Sequence, residues 1–199
     1  MQLKINKTRL SVTFPFAAVV MLMLLLCDSE TVFISLFSSL LHEGGHLFFL
    51  LLFREWPALI CFGAFGIRIE RKEEASLGYK KEAAVALGGI MVNSLLVLTG
   101  AAVYLILKIP FGLKLATVNG VIAAFNMLPV SLLDFGRFLE CMLSEKDNAE
   151  KILRRISFVT VLVLSAGCVL YNLFIGINVS LIAVSLYIIS VITYEGVRK

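Results

Sequence analysis

Apolar residues in this chain gather into long runs divided by short charged connections. That is the pattern of helices surrounded by lipid, since a water-facing helix would carry a polar stripe. Six apolar segments can be drawn: 10–27, 31–53, 83–107, 113–127, 156–175 and 179–194. Pro15 falls near the start of the first, where a helix tolerates it, and Pro129 closes off the fourth. Between the second and third segments the pattern changes. The stretch 57–70 is broken by glycine, and Ile67-Arg68-Ile69-Glu70 alternates with period two, which predicts a β-hairpin around Gly63. Asp147-Asn148-Ala149-Glu150 has the form of a helix start with a capping box.

Composition agrees with this reading. Of 199 residues, 59% are hydrophobic and only 16% charged, against about a quarter charged in a soluble domain. The expected fold is an all-α polytopic membrane protein of about six transmembrane helices with one small hairpin. It forms a single membrane-embedded domain over 1–199, with spans five and six at 156–194 and no soluble domain of any size. Cys27, Cys61, Cys141 and Cys168 show no metal-ligand spacing and read as scattered reduced thiols. Lys4, Lys7 and Arg9 precede an apolar run without a small-residue cleavage site, so the run is expected to be retained as a span.

Charge gives the orientation. Lys and Arg cluster before the first segment, between Arg54 and Lys81, between Arg137 and Arg155, and at Arg198-Lys199, whereas Lys108 and Lys114 stand alone on the opposite connections. The positive-inside rule then places both termini in the cytoplasm of a multi-pass cell-membrane protein. The basic residues border the spans, so they anchor and orient the chain; they form no nucleic-acid footprint.

The only two histidines, His42 and His46, flank Glu43 within the second segment. At i and i+4 on a helix both imidazoles project from one face and can reach one metal ion, with Glu43 beside any water it holds. Zinc accepts such a pair readily. Unpaired acids in hydrocarbon cost roughly 2.5–3.5 kcal/mol each on insertion scales, so such a group without a use is disfavoured. His46 lies seven residues before the cytoplasmic end at Phe53, about 10 Å at 1.5 Å per residue. A catalytic zinc site needs a third protein ligand. Asp28 falls on the far side and Asp147 in a charged loop. Asp134 follows the fourth segment at a depth similar to His46; a helix cap or a partner for Arg137 is its other reading.

These residues resemble the site-2 protease family of intramembrane zinc metalloproteases. His42-Glu43-Gly44-Gly45-His46 fits the family's HExxH, and Asn126 through Gly136 is similar to its Asn-Pro-Asp-Gly region. Gly88-Gly89-Ile90-Met91-Val92-Asn93 looks like the small-residue-plus-Asn stretch of its third core helix. The likeness covers a catalytic core of about 31–137, and the six-span outline looks most like the stage IV sporulation protein FB-like branch. Phe135 stands where the family commonly has glycine, and Ser131 where proline is frequent.

The resemblance implies a zinc metalloendopeptidase acting in regulated intramembrane proteolysis, with His42, His46 and Asp134 as metal ligands and Glu43 as the base. Asn126 would contact the substrate backbone or steady the oxyanion; a hydrogen bond to a neighbouring span is its alternative reading. The hairpin, with Phe62, Phe65, Ile67 and Ile69, would pair with an extended substrate, or serve only as a connector. The substrate would be a membrane-spanning or membrane-associated protein, and an inhibitory membrane partner is expected as well. PDZ and CBS regulatory domains are not expected. Asn93 and the Gly88-Gly89 pair read as close-packing devices. Two other classes, a metal-binding transporter and an inactive membrane scaffold, would use the same polar residues differently.

Overall fold

A computed structural model describes residues 2–5, 8–63, 66–70, 77–131, 133–143, 148–174 and 176. The chain divides into two compact units, Met1–Met127 and Leu128–Lys199. The first holds β1 (Gln2–Ile5), β2 (Thr8–Val12), α1 (Phe14–Leu26), α2 (Ser29–Leu52), β3 (Leu59–Gly63), β4 (Gly66–Glu70), α3 (Tyr79–Leu107) and α4 (Pro110–Asn126). The second holds α5 (Asp134–Leu143) and α6 (Ala149–Phe174).

Three described helices, α2, α3 and α6, are long and apolar enough to cross a membrane. Large apolar side chains such as Leu98 and Ile106 on α3, and Phe158 and Val163 on α6, are exposed. Water would oppose that arrangement and lipid favours it. The chain is a membrane protein with a mostly helical fold. The shorter helix α4 has 17 residues, and α1 has 13, about 20 Å at 1.5 Å per residue against a hydrocarbon core of about 30 Å. The expected last span, 179–194, lies outside the described residues.

Two boundaries differ from the sequence reading. The first apolar run does not become a helix at Leu10. Residues Thr8–Val12 form a strand, and the helix starts at Phe14, with Pro15 in its first turn where a missing N–H costs nothing. The expected hairpin is present, β3 and β4 pairing antiparallel with Phe62 opposite Ile67 and Ile60 opposite Ile69. It belongs to a larger sheet of order β1-β2-β3-β4, in which β2 runs parallel to β3. Thr13 ties this sheet to the start of α1, its N–H and hydroxyl both donating to Phe62 O at 3.0 and 2.9 Å. Phe16 meets Phe62 edge-on with centroids 5.6 Å apart. The fifth apolar segment, as far as residue 174, lies within a longer helix, α6, which starts near the expected capping box.

Helices α2, α3 and α4 form the core of the first unit by close backbone approach. A Cβ placed on Gly45 would meet the carbonyl carbon of Gly88 at 2.7 Å, and one on Gly88 would meet that of Gly45 at 2.8 Å. The two glycines are where α2 and α3 cross. Higher up, Gly100 and Gly112 do the same for α3 and α4. Gly45→Ala should therefore destabilise the unit by about 1–3 kcal/mol, the usual cost of overpacking. Thermal unfolding in detergent measures this, and an unchanged midpoint would refute the tight crossing.

Helices α2 and α4 begin at the same end. Asp28 caps α2, accepting from Thr31 N–H at 2.9 Å, and Lys114 of α4 reaches Asp28 at 3.4 Å and also pairs with Glu30. The backbone and hydroxyl donors of Thr31, with Lys114 adding to them, hold the Asp28 carboxyl below its ordinary value. A lowered folded pKa stabilises above the unfolded value and loses that contribution as pH falls through the folded one. Wild type should out-melt Asp28→Asn near neutral pH, and the gap should close on acidification below the ordinary carboxylate range. A gap that persists there would assign the difference to something other than the charge.

Candidate metal centre

His42 and His46 project from α2 onto α3 and are buried, 6% and 9% exposed. Their rings stand nearly perpendicular, 88° apart, with centroids 4.9 Å apart, and the two Nε2 atoms lie 3.3 Å from each other. Helix α3 shapes this arrangement along one face. Val85, Gly89 and Asn93 recur every four residues, so all three look toward α2. The Val85 carbonyl sits 2.8 Å from His46 Nδ1, and Asn93 Oδ1 is hydrogen-bonded to His42 Nδ1. At Gly89 any side chain would strike the His42 ring, whose Cε1 lies 2.5 Å from the place a Cβ would take.

These contacts settle the protons on neutral rings. A backbone carbonyl only accepts, so His46 must carry its hydrogen on Nδ1. Asn93 Nδ2 donates to Asn119 Oδ1 at 2.7 Å, which leaves Asn93 Oδ1 as the acceptor facing His42. His42 therefore also carries its hydrogen on Nδ1. On neutral rings that placement leaves each Nε2, 3.3 Å from the other, as the acceptor nitrogen through which an imidazole binds a metal. Two nitrogens bound to one tetrahedral zinc at 2.0–2.1 Å would sit about 3.3–3.4 Å apart, which matches the observed spacing. The donor chemistry fits a cation.

Asp134 is the first residue of α5 and is buried, 7% exposed. The turn before it is held from α6: Ser131 N–H donates to Ser157 Oγ at 3.1 Å, and Ser157 Oγ donates to Pro129 O at 3.2 Å. Gly136 lies against the Val130 carbonyl so closely that a Cβ would overlap it. Glycine two residues after the carboxylate is thus a steric requirement. Phe135 is half-buried and stacks on Phe138 with centroids 5.7 Å apart. His42, His46 and Asp134 make up a group that could hold a metal ion.

The other expected site residues are placed as follows. Glu43 is half-buried on α2 between the histidines. Asn126 ends α4, and its Nδ2 donates to Ile122 O of its own helix at 3.1 Å. Phe62 is on β3 and Ile67 and Ile69 are on β4, whereas Phe65 lies outside the described residues.

Two residues carry more than the sequence reading assigned them. Asn93, read as a packing device, orients a metal-ligand candidate. Asn119, in the fourth apolar run, received no role, yet it links α4 to α2 and α3. Its Nδ2 donates to Leu115 O and to Ser38 Oγ, both at 2.9 Å, and Ser38, Asn93 and Asn119 are all 0% exposed. A hydrogen bond between membrane helices averages only about 0.6 kcal/mol, so stability is a weak reason to bury these groups. The detectable signal was positional: Ser38 and His42 lie four apart on one helix, and amides interrupt the two neighbouring apolar runs, Asn93 in one and Asn119 and Asn126 in the other.

No protein-family model matches the chain, and no curated protein sequence matches it either. Among solved structures it is similar to the Site-2 Protease from Methanocaldococcus jannaschii, with a TM-score of 0.64 at 20% sequence identity, over 94% of this chain and 91% of that one. The fold of that protease is the fold of this chain.

Proposed function

We propose that the protein is an intramembrane zinc metalloprotease of the site-2 type, hydrolysing peptide bonds within or beside a membrane segment of its substrate. The observation that carries this reading is the meeting of two imidazoles whose Nδ1 atoms face the Asn93 and Val85 oxygens and whose Nε2 atoms lie 3.3 Å apart, on a fold shared with a site-2 protease. His42, His46 and Asp134 would hold the ion. Zinc, when bound, supplies Lewis acidity toward water and toward the scissile carbonyl.

The chain's own residues do the rest. Glu43 takes a proton from the attacking water and returns it to the leaving amine. Asn126 spends one of its two N–H donors on Ile122 O; the second donor and Oδ1 serve the substrate backbone. A helical substrate hides its carbonyls in its own hydrogen bonds and has to unwind before it can be cut. Strand β4 is an edge of the sheet among the described residues, so an extended segment can add to it through main-chain hydrogen bonds. By the charge count the chain crosses the membrane several times with both termini in the cytoplasm, and the site sits in the cytoplasmic half of the bilayer. The substrate is a membrane protein; an inhibitory membrane partner and a sporulation role follow from the branch resemblance alone.

The decisive assay uses purified protein in detergent with a membrane-derived peptide. Chelation should stop cleavage, and zinc should restore it. Cleavage indifferent to chelator would refute the proposal, and zinc flux in proteoliposomes without cleavage would favour the transporter.

A further inference from the structure

The proton position on His42 is not a local matter. Leu115 O is a backbone carbonyl and can only accept, so the Asn119 group 2.9 Å from it must be the amide nitrogen. That turns Asn119 Oδ1 toward Asn93, 2.7 Å from Asn93 Nδ2. Asn93 Oδ1 then faces His42 Nδ1 and can only accept from it. Each step removes the amide-flip ambiguity that side-chain amides ordinarily carry.

We infer that Asn119 is a positioning residue for the metal centre: anchored to the Leu115 carbonyl of α4, it fixes the orientation of Asn93 and so locks His42 of α2 as the Nδ1–H tautomer, with the Nε2 lone pair turned to the ion. Ser38 also touches Asn119, at 2.9 Å, but a hydroxyl both donates and accepts. Ser38 therefore sets no direction, and only Leu115 O does. The lock acts before any metal arrives. A flipped Asn93 would present its N–H groups to Nδ1, move the ring proton to Nε2, and turn a ligand nitrogen into a donor. Partners behind a ligating histidine ordinarily change metal affinity 10–100-fold, and here the partner is itself held by a partner on a third helix.

The inference rests on the metal reading for its purpose, but its test does not. The full chain is labelled with ¹⁵N-histidine, freed of metal by chelation, and observed by NMR at about pH 8.5, where imidazole is ordinarily neutral. With two histidines in the chain, His46→Gln assigns the remaining ring. Wild-type His42 should be protonated at Nδ1. In Asn119→Leu its proton should spread over both nitrogens, and the apparent affinity for zinc should fall about 10–100-fold. In Ser38→Ala both should stay as in wild type, because Leu115 O still orients Asn119. A wild-type His42 protonated at Nε2 overturns the inference without any variant. So does a folded Asn119→Leu protein that keeps the wild-type tautomer. A wild type that shows the Nδ1–H form and binds no zinc would confirm the lock and remove the metal reading instead.

Discussion

Glu43→Gln should abolish peptide cleavage while leaving the zinc content and the fold of the protein intact. Glutamine has the size of glutamate and keeps one acceptor oxygen, so packing on α2 changes little. It cannot take a proton. Positioned acid–base groups contribute about 10²–10⁴-fold to rate, or roughly 3–5 kcal/mol of barrier. Glu43 would act twice, on the water and on the leaving amine, so the loss is expected toward the upper end of that range. The check pairs metal analysis with the initial rate of peptide cleavage. Wild-type cleavage by Glu43→Gln would remove the residue from the mechanism. A parallel loss of zinc would show that it supports the site and performs no proton transfer. The same variant separates the rival classes, since a transporter or a scaffold would have no step that needs this proton.

Much of the site was legible because one regular helix carries it. A spacing of four determines a common face, so His42 and His46 could be paired from sequence with no knowledge of the rest. Charge on the connections gave an expected direction for each span, and under that expectation Asp134 was the remaining acid at a depth similar to His46. The hairpin was equally visible, through its glycine and its period-two alternation. Other parts depended on long-range placement. Leu10-Ser11-Val12 leads directly into the apolar residues of α1, and pairing with Gln2–Ile5 on one side and, far along the chain, with Leu59–Phe62 on the other makes it a strand. Helix α5 is short and carries charge, so it has no span signature.

Asn93 and Asn119 show the same limit in chemical form. An amide in an apolar run announces that it needs a partner, and nothing in the run says which. Asn93 looked like part of a packing stretch because Gly88 and Gly89 do pack closely, against α2 and the His42 ring respectively. The acceptor role of its oxygen depends on Asn119, 26 residues away, and that of Asn119 on its own helix carbonyl. Orientation of a polar group, unlike helix phase, is a property of the assembled bundle.

Asp134→Ala should lower the apparent zinc affinity by more than about 10²-fold, beyond what loss of a residue behind a ligand usually costs. Removal of the carboxylate would leave two neutral imidazoles, and with it goes the only negative charge in the proposed ligand set. Asp134→Asn divides the two contributions. It preserves shape, one oxygen and the ability to begin α5, but it has no charge, so its zinc affinity should fall between those of wild type and alanine. A helix cap would behave differently: asparagine caps about as well as aspartate, so that variant would then match wild type in zinc binding and stability. Gly136→Ala provides a third arm. It retains the carboxylate and displaces the backbone, because its Cβ would overlap the Val130 carbonyl in the turn that Ser157 holds. Zinc titration of the three variants, with thermal unfolding in parallel, therefore tests charge, shape and placement separately. Wild-type affinity in Asp134→Ala would exclude Asp134 as a ligand and leave the histidine pair in need of another.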